Sequence, residues 1–229
     1  MVTQLHYTPI PFDDTYVLYN AEDPISLISV FFTLLPIGIL IFYLSWFITS
    51  REIEPVIMAG GQVINDILNN IIKNNIKQDR PFKFDGFQTN SLRSGYGMPS
   101  AHSQFMGYFA SFLILRLWLQ WKGLSSCRKF SSTVVLFIVG FLVMFSRVYL
   151  HYHSIEQVLV GLSIGTSLGV TYFFAVSIAR SIGLINWIIE WPFVKWLHVK
   201  DSVYFDSLNL QEEKIAWRKR LNKSLKKDL

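Results

Sequence analysis

The sequence is poor in charged residues and has a single cysteine. Of its 229 residues 16% are charged and 51% are hydrophobic, whereas an ordinary soluble domain has about 25% charged residues. The stretches 24–50 and 157–179 contain no charged residue, and about 20 apolar residues are enough to cross a bilayer. These absences exclude an ordinary water-soluble domain. Because Cys127 stands alone, an intrachain disulfide and a cysteine-rich metal site are excluded as well.

Long apolar segments recur along the chain without an internal repeat or a low-complexity linker. They predict transmembrane helices at about 25–50, 55–76, 100–121, 130–149 and 155–179. Acidic residues near the N-terminus argue against a cleavable signal peptide. We therefore predict an all-α, polytopic membrane bundle with about five transmembrane helices and its core at 25–180. An N-terminal segment at 1–24 precedes this core, and an interfacial helix and a basic tail at 181–229 follow it.

The distribution of lysine and arginine predicts the orientation of the bundle. Neither residue occurs before Arg51, whereas the loop at 122–129 carries three basic residues and no acid. The positive-inside rule then places this loop in the cytosol and the N-terminus on the other side. With five crossings, the loops at 77–98 and 147–154 lie on the N-terminal side, which predicts that both face away from the cytosol.

The residues after the fifth predicted helix differ in composition from the core. Beyond Gln211 the chain has seven basic and three acidic residues, which is typical of a cytosolic segment beside anionic lipid and equally of a solvated tail. The last four residues, 226–229 (KKDL), fit a dilysine signal read by cytosolic coat machinery and favour the endoplasmic reticulum membrane. Trp187, Trp191 and Trp196 indicate an interfacial helix or a partial re-entry into the membrane.

The second predicted helix carries a stripe of polar residues at three- and four-residue steps. Its members are Gln62, Asn65, Asp66, Asn69 and Lys73. Polar groups in hydrocarbon are costly unless they face partners or water, so we expect the stripe to face the inside of the bundle. An amphipathic helix lying on the membrane surface is the alternative.

Cations gather at the ends of predicted helices that share one side of the membrane. Transfer of a phosphoryl group needs cations to hold charged oxygens, a nucleophile and a proton donor. Lys73, Arg80 and Arg147 supply cations, and the two arginines add planar forks of donors. Ser100, at the expected start of the third helix, adds a hydroxyl group and free backbone N–H groups. This set predicts a phosphate-binding site.

Two histidines complete the set. His102 and His153 are candidates for attack and for proton donation, because an imidazole titrates near neutral pH. Taken singly, a cation at a helix end more often snorkels to the interface and a histidine there more often packs. Their combined occurrence favours phosphate chemistry. No group of His, Cys or carboxylate residues has the spacing of metal ligands, so we expect neither a metal nor another cofactor.

The spacing of these residues resembles the three-part signature of the type 2 phosphatidic-acid phosphatase superfamily, which is shared with vanadium haloperoxidases. Six residues separate Lys73 from Arg80, and five residues separate Arg147 from His153. Between these two motifs lies the sequence Pro-Ser-Ala-His at 99–102. The resemblance covers about residues 10–190, and the residues within and around the motifs are similar to those of the dolichyl-diphosphate phosphatase branch.

This resemblance implies a role for each residue. His153 is expected to attack the terminal phosphorus and form a phosphohistidine, while His102 protonates the departing lipid phosphate and then activates water. The phosphate oxygens are expected to be held by Lys73, Arg80, Ser100 and Arg147. The general family pattern has an aspartate four residues after the nucleophile, where this chain has Gln157. Either Gln157 or its neighbour Glu156 is therefore expected to support the imidazole.

The resemblance also implies a substrate and a location. We expect hydrolysis of dolichyl diphosphate on the lumenal side of the endoplasmic reticulum membrane, which recycles the lipid carrier for protein N-glycosylation. The expected partners are an isoprenoid lipid diphosphate and membrane lipid, with no nucleic acid. A phosphatase for phosphatidate, a sphingoid-base phosphate or another polyprenyl diphosphate stays open, and so does a non-catalytic lipid transporter or scaffold. His102 and His153 argue against the latter, because binding needs only the cations.

Overall fold

The chain folds into a bundle of helices that begins with a small hairpin. The computed structural model describes residues 10–12, 17–81, 95–203, 214–215 and 217–220. The hairpin pairs β1 (Ile10–Phe12) with β2 (Val17–Tyr19) in antiparallel register. The helices that follow are α1 (Pro24–Ser50), α2 (Glu54–Ile76), α3 (Ala101–Leu115, continued by a π-helical turn at Arg116–Gln120), α4 (Ser126–Tyr149), α5 (Ile155–Ser181), α6 (Leu184–Ile189) and α7 (Pro192–Trp196). This confirms the predicted all-α membrane bundle, with the hairpin as an unpredicted addition.

Helices α1, α4 and α5 are the ones long and apolar enough to cross a membrane by length and composition, among the residues that the structure describes. Helix α2 is more polar, yet its 23 residues rise about 35 Å, which is enough for a hydrocarbon core of about 30 Å. Its stripe is buried at Gln62, Asn65, Asn69 and Lys73, as predicted. The prediction is wrong for Asp66, which is exposed.

Helices α3 and α5 make the closest contact in the bundle, through glycines of α5 that repeat every four residues. A Cβ atom at Gly161 would lie 2.6 Å from the carbonyl oxygen of Ser100. At Gly165 it would lie only 2.0 Å from the carbonyl oxygen of Gln104. Small residues let helix backbones approach in this way inside membranes. The N-termini of α3 and α5 are thereby fixed side by side.

Capping residues fix the helix ends beside this contact. Ser100 caps α3, and Ser154 forms a capping box with Gln157 at the start of α5. The backbone N–H of Ser100 also donates to the carbonyl of Gln157, at 3.0 Å. Backbone groups at both N-termini are therefore held by residues of the predicted motifs.

The opposite end of the bundle holds a buried network of ion pairs. Glu54, at the start of α2, pairs with Arg116 and Arg180 from the ends of α3 and α5. Arg180 also binds Asp201, with Nε and Oδ2 2.8 Å apart. A buried carboxylate is tolerated here because two guanidinium groups compensate its charge. The network joins three helices to the segment that follows α5.

That segment folds back onto the α1–α2 connection. The backbone N–H of Ile53 donates to the carbonyl of Lys200, and the N–H of Lys200 donates to the carbonyl of Arg51, both at 2.9 Å. The predicted interfacial helix is thus two short helices, α6 and α7, each too short to cross a membrane. Trp187 and Trp196 in these helices are exposed, and their position at the membrane interface stays a prediction. The C-terminal dilysine lies outside the described residues.

Candidate active site

The structure brings the predicted cations and histidines together at the end of the bundle away from Glu54. Lys73 lies in the last turn of α2, and Arg147 lies in the last turn of α4. Ser100 and His102 lie at the start of α3, and His153 lies in the turn before α5. His102 is within electrostatic range of His153, Arg147 and Lys73, and its ring contacts the backbone of Thr33. The sequence spacing therefore corresponds to one cluster in space.

Arg147 is a buried cation with unused donor capacity. Its side chain stacks on the ring of Tyr152, with Cζ 4.1 Å from the ring centroid. Nη1 makes one long hydrogen bond, 3.5 Å, to the hydroxyl of Thr33. In the part of the chain that the structure describes, the buried Nε has no hydrogen-bond partner. A buried guanidinium needs an acceptor of opposite charge, so this geometry suits an anion.

Two further cations adjoin the histidines. Lys73 is buried, and its charge reaches both His102 and His153. Arg80 lies in the loop after α2, where its Nε donates to the carbonyl of Gly95 at 3.1 Å. Burial lowers the pKa of Arg80, but an arginine keeps its charge at physiological pH. Positive charge therefore surrounds the imidazoles from α2, α4 and the loop after α2.

His153 is held by the amide side chain of Gln157. The Nδ1 atom of His153 lies 3.1 Å from Oε1 of Gln157. The Nε2 group of Gln157 donates to the carbonyl of Asp79 at 2.9 Å and to Oε1 of Gln78 at 3.2 Å. These acceptors fix the amide so that its oxygen faces the imidazole. Nδ1 must then carry the proton, which leaves a lone pair on Nε2 for attack.

The protonation state of His153 follows from its surroundings. Burial, followed by the positive charges of Arg147 and Arg80, holds the pKa of His153 well below its ordinary value of 6.5. The hydrogen bond to Gln157 opposes this shift without reversing it. The imidazole is therefore neutral at physiological pH, in the form that can act as a nucleophile.

Glu156 and Gln157 differ in what they reach. Glu156 is exposed in the first turn of α5, whereas Gln157 is 2% exposed and contacts the imidazole. We propose that Gln157 is the residue that orients His153. The glycine at position 97 leaves it room, since a Cβ atom at Gly97 would lie 2.5 Å from Nε2 of Gln157.

The variant Gln157→Glu is expected to shift the acid limb of the pH profile of kcat/KM upward by about 1 unit or more. A carboxylate beside Nδ1 stabilises the imidazolium ion and so raises the pKa of His153. A protonated imidazole cannot attack, so activity is then lost at a higher pH than in the wild type. The matched variant Glu156→Gln should leave the profile in place. An unchanged limb in Gln157→Glu, or a larger change in Glu156→Gln, contradicts this assignment.

The inward stripe of α2 meets an unpredicted partner on α3. Nδ2 of Asn69 donates to Oε1 of Gln104 at 2.7 Å and to the carbonyl of Pro99 at 3.3 Å. Nε2 of Gln104 donates to Oδ1 of Asn65 at 2.8 Å. Because Lys73 lies one helical turn beyond Asn69, this amide network sets the position of Lys73 relative to the start of α3.

Several residues that hold the site residues in place were not predicted from the sequence. Tyr152 and Thr33 touch Arg147, and Gln78 and Asp79 hold Gln157. None of them follows a helical period that leads to the site. The available sign was adjacency in the sequence: Tyr152 directly precedes His153, and Gln78 and Asp79 precede Arg80. Thr33 had no such sign.

The arrangement has the parts that phosphoryl transfer needs. Cations surround a neutral imidazole whose Nε2 is available, and a second histidine lies close by. Among the described residues, no group of three or more His, Cys, Asp or Glu side chains could hold a metal ion. The buried cations are suited to binding a phosphate, and Nε2 of His153 is suited to attacking its phosphorus.

Comparisons with known proteins agree with this chemistry. Residues 54–181 match the PAP2 superfamily. The dolichyldiphosphatase of Saccharomyces cerevisiae is 50% identical over 93% of this chain and 90% of its own length. The human dolichyldiphosphatase 1 is 30% identical over 82% of this chain and 80% of its own length.

One solved structure is similar in fold. It is the crystal structure of a transmembrane PAP2 type phosphatidylglycerolphosphate phosphatase from Bacillus subtilis. The TM-score is 0.51 at 22% identity, and the match covers 64% of this chain and 73% of that one. At this identity the likeness concerns the fold of the bundle alone.

Proposed function

The chain belongs to the PAP2 superfamily, and from this premise we propose that it hydrolyses dolichyl diphosphate to dolichyl phosphate and inorganic phosphate through a phosphohistidine. The buried guanidinium of Arg147 carries the proposal, because its Nε–H lacks an acceptor among the described residues. Its charge also acts on both histidines, so an anion bound there lies beside a nucleophile. The two relatives named dolichyldiphosphatase support the choice of substrate.

In the first step, Nε2 of His153 attacks the terminal phosphorus while the bond to the bridging oxygen breaks. His102 enters this step as an imidazolium, with a proton taken up from solvent when the negatively charged diphosphate binds. It gives this proton to the bridging oxygen, so dolichyl phosphate leaves with one added proton and His102 becomes neutral. The phosphorylated ring is cationic, and Oε1 of Gln157 continues to accept from its Nδ1–H. Gln157 thus orients the ring without supplying a full counter-charge.

In the second step, His102 is neutral and takes a proton from water as the water oxygen attacks the phosphorus. The P–N bond breaks, its electron pair returns to Nε2 of His153, and inorganic phosphate is released. Lys73, Arg80 and Arg147 stabilise the charge on the equatorial oxygens in both steps. Ser100 contributes at the N-terminus of α3, where its hydroxyl already accepts from the hydroxyl of Ser103 at 3.0 Å.

The proposed location follows from the two ends of the bundle. The site lies at the end where α1 begins, because Tyr149 at the end of α4 donates to Asp23 at 2.7 Å. The basic loop between α3 and α4 lies at the other end, for which the positive-inside rule favours the cytosol. A lumenal site in the endoplasmic reticulum would meet the dolichyl diphosphate that protein N-glycosylation releases.

The substrate is tested by phosphate release from the purified chain in detergent with a chelator present. Dolichyl diphosphate and phosphatidate are offered separately at equal mole fraction. We expect the diphosphate to be hydrolysed faster, by about tenfold or more in kcat/KM, because its leaving group is a phosphate rather than an alkoxide and needs less protonation. A higher kcat/KM for phosphatidate contradicts dolichyl diphosphate as the preferred substrate, while the assignment as a lipid phosphatase stands. Silence on both lipids contradicts the phosphatase and favours a transporter or scaffold.

A further inference from the structure

Tyr152 lies against Arg147, the buried cation on which the proposed phosphate binding rests. Its side chain is 3% exposed, and the guanidinium of Arg147 stacks on its ring. The face of a tyrosine ring carries negative potential and attracts such a cation. The ring of Tyr152 therefore adjoins one of the three proposed phosphate-binding cations.

The hydroxyl group of Tyr152 is anchored by the N-terminal hairpin. It accepts a hydrogen bond of 2.8 Å from the backbone N–H of Leu18 in β2. Tyr152 also packs with Val17, Val30 and Leu150 in a small apolar cluster. The hairpin precedes residues 54–181, the part of the chain that matches the PAP2 superfamily. The hydrogen bond between Leu18 and Tyr152 thus joins the hairpin to the PAP2-matching region at the candidate site.

We propose that Tyr152 is a positioning residue, which the hairpin holds by its hydroxyl group and which sets the plane of the Arg147 guanidinium. The proposal rests on the proposed function in one respect, namely that Arg147 binds the phosphate oxygens. The ring contact matters because the hydrogen bond from Arg147 to Thr33 is long, 3.5 Å, and holds a single nitrogen of the fork. Bidentate binding of phosphate requires this fork to be fixed in one plane.

A ring without the hydroxyl group would keep the stacking and lose the anchor. We infer that β2 belongs to the wall of the site, because the backbone of Leu18 holds Tyr152. The anchor is specific to Tyr152, since the neighbouring Tyr149 donates to Asp23 instead. Both bonds tie the N-terminal segment to the end of α4 or the turn after it, and Tyr152 is the one of these two tyrosines whose ring is seen to stack on Arg147. Tyr149 is thus a matched control.

The test measures the dissociation constant of orthovanadate, a phosphate mimic, from its effect on the melting temperature of the full chain in detergent. Tyr152→Leu should weaken binding about tenfold or more, because it loses the ring. Tyr152→Phe should restore most of this affinity and stay about threefold weaker than the wild type, because it lacks the anchor. Tyr149→Phe should bind as the wild type does.

Three results overturn the proposal. Orthovanadate affinity equal to that of the wild type in both Tyr152 variants contradicts the positioning role. An equal loss in Tyr149→Phe and Tyr152→Phe shows that general loosening of the N-terminal segment is the cause. If Tyr152→Leu does not fold, the proposal is tested by comparing the orthovanadate affinities of Tyr152→Phe and Tyr149→Phe. A wild type that binds orthovanadate but releases phosphate from no lipid contradicts the proposed function alone, and one that does not bind it contradicts both.

Discussion

The variant His153→Ala is expected to lower phosphate release from dolichyl diphosphate by about 10⁴-fold or more, because no other described group can replace the attacking Nε2 atom. His102→Ala is expected to lower it by about 10²- to 10⁴-fold, the usual worth of a general acid or base. Steady-state rates at neutral pH in detergent measure both. The difference between the two variants reflects the difference between losing a bond-forming atom and losing a proton donor.

His151 provides the control for these two variants, since it lies in the same turn. It has a positive φ of 60°, a conformation that asparagine tolerates better than most residues. His151→Asn should therefore keep the backbone and leave the rate unchanged. A loss in His151→Asn as large as that in His153→Ala contradicts the assignment of the nucleophile.

The variant Gly165→Ala is expected to destabilise the bundle by about 3 kcal/mol or more and to abolish activity with it. Its Cβ atom would lie 2.0 Å from the carbonyl oxygen of Gln104, and this backbone atom can move only if α3 and α5 separate. Their separation would also part His102 on α3 from His153 before α5. Stability and catalysis should therefore be lost together.

Thermal unfolding in detergent measures this effect, and Gly140→Ala is the matched control. Gly140 lies inside α4, and a Cβ atom there has no described residue within 4 Å apart from the backbone of its own helix. Alanine is a better helix former than glycine by about 1 kcal/mol, so Gly140→Ala should unfold at the same or a higher temperature. A Gly165→Ala variant as stable and active as the wild type contradicts the close contact of α3 and α5.

Much of the fold was predictable because it depends on local physics. A long uncharged segment has to bury its backbone polar groups in a helix, so the five predicted segments agree with α1–α5 to within a few residues. When the π-helical turn is counted as the end of α3, the largest difference is at α4, which begins at Ser126 rather than at 130. Residues 126–129 continue the helix beyond the apolar segment, where hydropathy gives no boundary. The fixed spacing of the site residues was equally visible.

The rest depends on pairs of residues that are far apart in the sequence. Glu54 meets Arg180 across 126 positions, and Tyr152 meets Leu18 across 134. No period along one helix indicates such a pair. Asp66 shows that the helical period does not fix burial for every member of the stripe. It shares the spacing of the stripe but lies at its edge, where a small rotation of the helix determines whether a side chain is buried or exposed.

The most direct test of the account is to trap the phosphoenzyme. Dolichyl diphosphate labelled with ³²P in its terminal phosphate is mixed with the purified chain and quenched in alkali, in which phosphohistidine persists. The account predicts protein-bound label that is lost in acid, maps to His153 and is absent from His153→Ala. Release of labelled phosphate by an active wild type that never carries label on His153 would contradict it.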